Sequence, residues 1–217
     1  MTDFNKVGGV AGLIAAGTYL FGFVMLLAVL APAGYSLGGD DMIAQAKFLS
    51  ENQFAMYMWN LGIWIINSFA LVILAIALHA KVVEKSPAFS QVATAFALIW
   101  AGLILGSGMV SNITVGTVSA LYPTDPEQAG VFLRALSAVE NGLGGGNELA
   151  GGFWVLVLSW GALRGGALSK PLNILGLVIG LSGLSTLAPA LAPIAGSVFG
   201  LGFIVWFAWA GIHLIRN

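Results

Sequence analysis

The sequence predicts an all-α integral membrane protein, a bundle of six transmembrane helices that forms a single domain over residues 1–217 with both termini in the cytoplasm. Hydrophobic residues make up 59% of the chain and charged residues only 8%, and the mean hydropathy is +0.95. Both values lie far from the average of soluble domains. The apolar residues also fall in blocks that match the roughly 20 residues a helix needs to cross a bilayer.

Each span can be located from these blocks, at residues 7–30, 54–79, 88–120, 142–163, 172–187 and 194–215. The first block is too long for the core of a signal peptide, so we expect it to be an uncleaved span. The third is longer than the hydrocarbon layer requires and must tilt or project beyond it. The apolar part of the fourth begins only at Leu149, so this span must start upstream among the glycines, which draws Asn147 and Glu148 into the membrane.

Two amphipathic segments connect the spans on one side. Residues 41–50 predict a short interfacial helix with Asp40 or Asp41 as its N-cap. Its apolar positions would rest on the membrane surface, namely Ile43, Ala46 and Phe48. Residues 131–140 predict a second amphipathic segment, with Arg134 on its polar side.

The basic residues are distributed unevenly between the two sides of the predicted bundle. One side carries Lys6, Lys81, Lys85, Arg164, Lys170 and Arg216, and the other carries Lys47 and Arg134. Cytoplasmic loops of membrane proteins are enriched in Lys and Arg. The distribution therefore predicts cytoplasmic termini and acidic loops that face outward.

The most polar part of the predicted membrane region is residues 140–152, which contain Glu140, Asn141, Asn147, Glu148 and six glycines. Ionisable groups at membrane depth are costly and are therefore functional candidates. If this stretch is one helix, Glu140 and Asn147 share a face and form a polar ribbon. If the glycines break the helix, exposed backbone groups could contact a ligand or an ion. The alternative without function is a glycine-rich cap whose carboxylates meet water.

Polar residues in the second and third spans are predicted to face this stretch. Tyr57, Asn60, Trp64 and Asn67 recur at helical spacing and form one stripe, which should face the bundle because amides are costly in lipid. Asn67 also suits hydrogen bonding between helices without a ligand. We therefore expect an outward-opening pocket between spans two, three and four, in which Glu148 is a proton- or cation-linked group. Its candidate ligand-binding residues are Tyr57, Asn60, Asn67, Ser111, Asn112, Glu140, Asn141, Asn147 and Glu148.

Several classes of chemistry have no support in the sequence. The chain has no cysteine, which excludes disulfides and thiolate metal sites, and its net charge of −1 gives no sign of a nucleic-acid partner. No Ser/His/Asp set or HExxH motif occurs, so we favour a protein that is not an enzyme, with Glu148 as the sole acid or base candidate. No cofactor is predicted. His79 and His213 lie at matched depth and are the alternative as haem ligands. The tryptophans are predicted as interfacial anchors, at Trp59, Trp160, Trp206 and Trp209.

Residues 144–156 (GGGNELAGGFWVL) resemble an uncharacterised bacterial family of multi-span membrane proteins known as a domain of unknown function. The resemblance continues through residues 160–164 and the last two spans to residues 205–207. It implies a six-helix membrane fold and a bacterial inner-membrane location, and it implies no settled activity.

Three readings of function follow. The first is a transporter- or sensor-like protein that binds a small ligand, lipid or ion in the polar pocket, surrounded by membrane lipids. The second is an accessory or anchoring subunit of a larger membrane complex, as a homo-oligomer or with other membrane subunits. The third is a membrane enzyme or haem carrier. The short loops leave little soluble surface for docking a regulator, which favours the first reading over a receptor-type role.

Overall fold

Helices account for 86% of the residues that the structure describes, and no strand occurs among them. The structure, a computed structural model, describes residues 2–36, 39–145 and 148–216. Its helices are α1 (Thr2–Met25), α2 (Met42–Glu51), α3 (Gln53–Asn60), α4 (Asn67–Val82), α5 (Pro87–Leu121), α6 (Pro126–Glu140), α7 (Leu149–Gly165), α8 (Lys170–Ser185) and α9 (Ala192–Arg216). Short π-helical turns extend three of them, namely π1 (Leu26–Leu30), π2 (Leu61–Ile66) and π3 (Asn141–Gly145). The predicted all-α class is confirmed.

Four helical segments of the described chain are long and apolar enough to cross a membrane. They are Phe4–Leu30, Gln53–Val82, Pro87–Leu121 and Ala192–Arg216, with 27, 30, 35 and 25 residues. About 20 residues suffice for a crossing, so these segments indicate a membrane protein. Helices α7 and α8 are apolar but shorter, at 17 and 16 residues.

The six apolar helices pack in a closed ring in the order α1, α4, α5, α7, α8 and α9, with α9 returning to α1. The α1–α9 contact is close because glycines line both sides of it. A Cβ atom added to Gly12 would lie 2.9 Å from the Cα of Gly211, and one added to Gly211 would lie 2.7 Å from the carbonyl oxygen of Gly9. Small residues of this kind let membrane helices approach to backbone contact.

The ring of helices encloses a core of aromatic side chains. Trp154 packs face to face with Phe203 at a centroid distance of 6.0 Å and edge to face with Trp206 at 5.5 Å. Trp206 is fully buried, so its predicted role as an interfacial anchor is wrong. Trp160 and Trp209 are exposed on the bundle surface, as an anchor requires.

The short helices α2 and α6 form a cap over one end of α5. The carboxylate of Asp41 accepts a hydrogen bond from the amide of Ala44 at 2.9 Å, which confirms the predicted N-cap of α2. The prediction that Ala46 and Phe48 lie on the membrane surface is wrong. Both are buried, because α2 lies against α5 and α6 and places them in the cluster that includes Leu133.

Charged residues gather at the two ends of the ring. At one end, Gly8 lies beside Ala77 and Leu214, and the hydroxyl of Ser86 donates to the carbonyl of Gly161 at 2.7 Å. The adjacent chain segments bring together the basic residues Lys6, Lys81, Lys85, Arg164, Lys170 and Arg216. At the opposite end, Arg134 donates to the carbonyl of Asp40 at 3.4 Å. This end also carries Asp41, Glu51, Asp125, Glu127, Glu140 and Glu148.

Candidate ligand cavity

Helices α6 and α7 do not form one continuous helix, because the helical path is broken at Gly144. The φ angle of this residue is +153°, a conformation that side-chain-bearing residues rarely adopt. Helix α7 starts afresh at Leu149 with Glu148 as its N-cap residue, and the backbone amide of Glu148 donates to the hydroxyl of Thr186 at 2.9 Å. Of the two predicted arrangements, the broken helix is therefore the one that forms.

The break places Glu148 and Gly144 on the wall of a cavity of about 200 Å³, which is the first of two cavities and is called the Glu148 cavity. The elements around this cavity are α1 with π1, the junction of α3, π2 and α4, and the middle of α5. Its walls are mostly aromatic and aliphatic side chains, contributed by Tyr19, Phe23, Leu26, Trp59, Ile63, Trp64, Trp100 and Ile104. Among the described residues that line it, the side-chain oxygens are those of Glu148, Asn67 and the phenol of Tyr19. An apolar cavity with a few polar groups is the usual form of a small-molecule site.

Neighbouring contacts hold the aromatic walls in place. The indole of Trp59 donates to the carbonyl of Gly22 at 3.1 Å, which ties α3 to α1. Trp100 packs against Trp154, Phe199 and Phe203 at centroid distances between 5.3 and 5.9 Å. Trp100 therefore belongs to the buried core of the helix bundle as well as to the cavity wall.

Among the described residues, Glu148 has no basic neighbour in this cavity. The side chains that line it include no Lys, Arg or His within the described ranges. The phenol of Tyr19 lies close enough to be influenced by the carboxylate charge. A charged group in such apolar surroundings is costly unless a counterion or several hydrogen bonds stabilise it.

A second cavity, of about 260 Å³, lies towards the cap formed by α2 and α6. Its lining is more polar and includes Tyr35, Ser111, Thr114, Glu140 and Asn141. Burial raises the pKa of Glu140, although a hydrogen bond from Ser111 acts in the opposite direction. Burial, with a smaller effect from the charge of Glu140, raises the pKa of Tyr35 to about 12. Trp59 and Trp64 line both cavities and so stand between them.

The structure distributes the predicted site residues over several places. Glu148 and Asn67 line the first cavity, whereas Ser111, Glu140 and Asn141 line the second. The amide of Asn60 donates to the side-chain oxygen of Asn112 at 3.1 Å. Tyr57 packs in the cluster beneath the cap, with its hydroxyl oxygen next to Gly116. Asn147 lies outside the described residues.

The polar stripe of the second span is divided because π2 interrupts it. A π-helical turn contains one residue more than an α-helical turn, so residues after it are rotated by about 100° relative to an unbroken α-helix. Asn60 precedes π2 and pairs with Asn112 of α5. Asn67 follows π2 and accepts a hydrogen bond from Thr18 of α1 at 3.1 Å.

The two histidines make separate contacts. The Nδ1 atom of His79 lies 2.8 Å from the hydroxyl of Ser90, while His213 lies on α9 within electrostatic reach of Lys81. Within residues 2–36, 39–145 and 148–216, no group of three or more His, Asp or Glu side chains is placed to hold a metal ion.

Several cavity residues were not predicted as site residues. Tyr19, Phe23 and Trp100 come from spans one and three, and Trp59 was predicted as an interfacial anchor. The sequence gives one indication of an aromatic wall: Trp64 belongs to the polar stripe and lies between Asn60 and Asn67. Their convergence depends on packing between helices distant in sequence.

Comparison with models of protein families, with curated proteins and with solved structures finds no match. The resemblance to an uncharacterised bacterial family stays a prediction.

Proposed function

We propose that this protein is a six-span protein of the bacterial inner membrane that binds a small ligand in the cavity beside Glu148, as a transporter or a ligand sensor does. In this proposal α7 and α8 are the fourth and fifth spans, both termini are cytoplasmic, and the end that carries Glu148 faces outward.

The proposed topology rests on the ring and on its charges. Helices α7 and α8 are about 26 and 24 Å long at roughly 1.5 Å per residue, somewhat less than the hydrocarbon layer. Both are members of the same closed ring as the four longer helices, so a membrane around the ring also surrounds them. The excess of Lys and Arg at one end supports a cytoplasmic position for that end.

One observation carries the proposed function: the carboxyl group of Glu148 lies on the wall of an aromatic cavity that no Lys, Arg or His of the described residues lines. An intramembrane ionisable residue is costly and usually serves ion or substrate binding. A role limited to packing would be filled more cheaply by an apolar side chain at position 148. Glu148 also follows a helix break, the arrangement that transporters use to present polar groups at membrane depth.

The test is native mass spectrometry of the gently extracted protein, with Glu148→Gln beside it. Glu84→Gln is the matched control, since Glu84 is an exposed carboxylate in the turn at the opposite end. We expect wild-type protein and Glu84→Gln to carry the same small added mass, and Glu148→Gln to lose it.

Three results would contradict the proposal. If Glu148→Gln retains the added mass, that mass is not bound beside Glu148. If none of the three proteins carries an added mass, the Glu148 cavity does not bind a cellular ligand. Copurification of an unrelated polypeptide with all three proteins, without a small mass, would identify an accessory subunit instead.

A further inference from the structure

The side chains around the Glu148 cavity specify a class of ligand. The carboxyl group of Glu148 lies in one cavity with five aromatic rings, those of Tyr19, Phe23, Trp59, Trp64 and Trp100. Aromatic rings attract cations through their quadrupole, with Trp the strongest, and cages of such rings recognise substituted ammonium groups. A bound cation favours the ionised form of the Glu148 carboxyl, which then attracts it as an opposite charge.

From this combination we infer that the cavity binds a small organic cation, an amine or quaternary ammonium compound with an apolar substituent. The inference rests on the proposed function, because it names the ligand class of that same cavity. The ammonium group lies beside Glu148, and the apolar part lies against the aromatic and aliphatic walls.

The size of the cavity restricts the ligand further. A cavity of about 150 Å³ is large enough for benzene. The Glu148 cavity, at about 200 Å³, therefore has room for one ring together with a small ammonium group. It is too small for a membrane lipid, whose two acyl chains need several times this volume.

A metal ion fits the cavity less well than an organic cation. Calcium takes six to eight oxygen ligands. Among the residues that the structure describes, the side-chain oxygens that line this cavity belong to Glu148, Asn67 and Tyr19, and that of Asn67 already accepts a hydrogen bond from Thr18. An organic cation needs no such shell, because apolar contacts replace its weakly held water.

The test measures binding of radiolabelled benzyltrimethylammonium to the purified full-length protein in lipid nanodiscs by equilibrium dialysis. Unlabelled benzyl alcohol and benzenesulfonate serve as neutral and anionic competitors that carry the same ring. The variants are Glu148→Gln, Trp64→Leu and the control Glu84→Gln.

We expect the cation to bind to wild-type protein and to Glu84→Gln, and neither competitor to displace it. Glu148→Gln should bind it at least about tenfold more weakly, because the opposite charge is lost while the shape is kept. Trp64→Leu should weaken binding several-fold, because it removes one ring and leaves the charge.

Failure of this inference differs from failure of the proposed function. No binding to wild-type protein, displacement by benzyl alcohol as effective as by unlabelled cation, or equal affinity of Glu148→Gln and Glu84→Gln would each overturn the cation class. If the small mass lost from Glu148→Gln in native mass spectrometry is a neutral or anionic compound, the ligand cavity stands and the cation class falls. No bound mass together with no cation binding overturns both.

Discussion

The contact between Gly151 and Trp100 joins helix α7 to the aromatic wall of the Glu148 cavity. A Cβ atom added to Gly151 would lie 2.5 to 2.8 Å from three atoms of the indole of Trp100, well inside van der Waals contact. Trp100 is 3% exposed, and its indole is packed against three further aromatic side chains. The methyl group of Gly151→Ala therefore has no space unless the ring or the helix moves.

Gly102 provides the matched control on the neighbouring helix. It is also helical, and a Cβ atom added there would meet no atom within 4 Å. Both substitutions gain up to about 1 kcal/mol of helix propensity, but only Gly151→Ala overfills the core, at a cost of about 1–3 kcal/mol. We expect Gly151→Ala to be less stable than Gly102→Ala by about 2 kcal/mol.

Thermal unfolding in one detergent measures this difference. For a chain of this length about 1 kcal/mol corresponds to roughly 2–4 °C, so the midpoint of Gly151→Ala should lie about 4–8 °C below that of Gly102→Ala. Trp100 also lines the cavity, so a displaced indole should narrow the cavity and weaken ligand binding. Equal midpoints of the two variants would refute the reasoning, because they would mean that the Gly151–Trp100 contact is looser than the distances require.

Three further predictions concern the polar pair, the second cavity and the orientation. The hydrogen bond between Asn60 and Asn112 should give a coupling free energy of about 0.6 kcal/mol in a double-mutant cycle with Ala, as bonds between membrane helices do; a coupling of zero contradicts it. Burial raises the pKa of Glu140 in the folded protein, so the native state binds more protons than the unfolded state just above the ordinary carboxyl pKa. The free energy of unfolding should therefore fall as the pH rises through that window to the raised pKa, and Glu140→Gln should flatten the profile; an unchanged profile in the variant would count against this. Since the chain has no cysteine, single variants report orientation: an impermeant maleimide should label Asp125→Cys in intact cells and Lys85→Cys only after lysis, and the reverse pattern would invert the proposed topology.

Much of the fold could be predicted because it follows from long apolar blocks and local capping. The predicted spans 54–79, 88–120 and 194–215 correspond to Gln53–Val82, Pro87–Leu121 and Ala192–Arg216. Apolar length is a local property of the chain, and so is the capping of α2 by Asp41. The apolar parts of the fourth and fifth spans are close to the minimum length for a crossing, so apolar length alone does not define these two spans.

The arrangement of the candidate site could be predicted only in part. The sequence allows either a continuous or a broken helix within residues 140–152, and the φ angle of Gly144 decides between them. The sequence does not predict that the polar groups divide between two cavities. A π-helical turn leaves no clear pattern in a sequence, and it rotates every later residue of the same helix about the helix axis. The aromatic wall depends on Tyr19 and Trp100, which only long-range packing brings beside Glu148.

The separation of acidic and basic residues between the two ends has a consequence for voltage. It gives the bundle a permanent dipole along its axis, and one elementary charge that crosses a membrane at 100 mV exchanges about 2.3 kcal/mol with the field. In the proposed orientation, the negative potential inside the cell attracts the basic end and opposes inversion of the protein. A cation that approaches Glu148 from the acidic end moves down the same potential, whereas a neutral molecule is unaffected. The fraction of protein molecules with a bound cation would then depend on the membrane voltage.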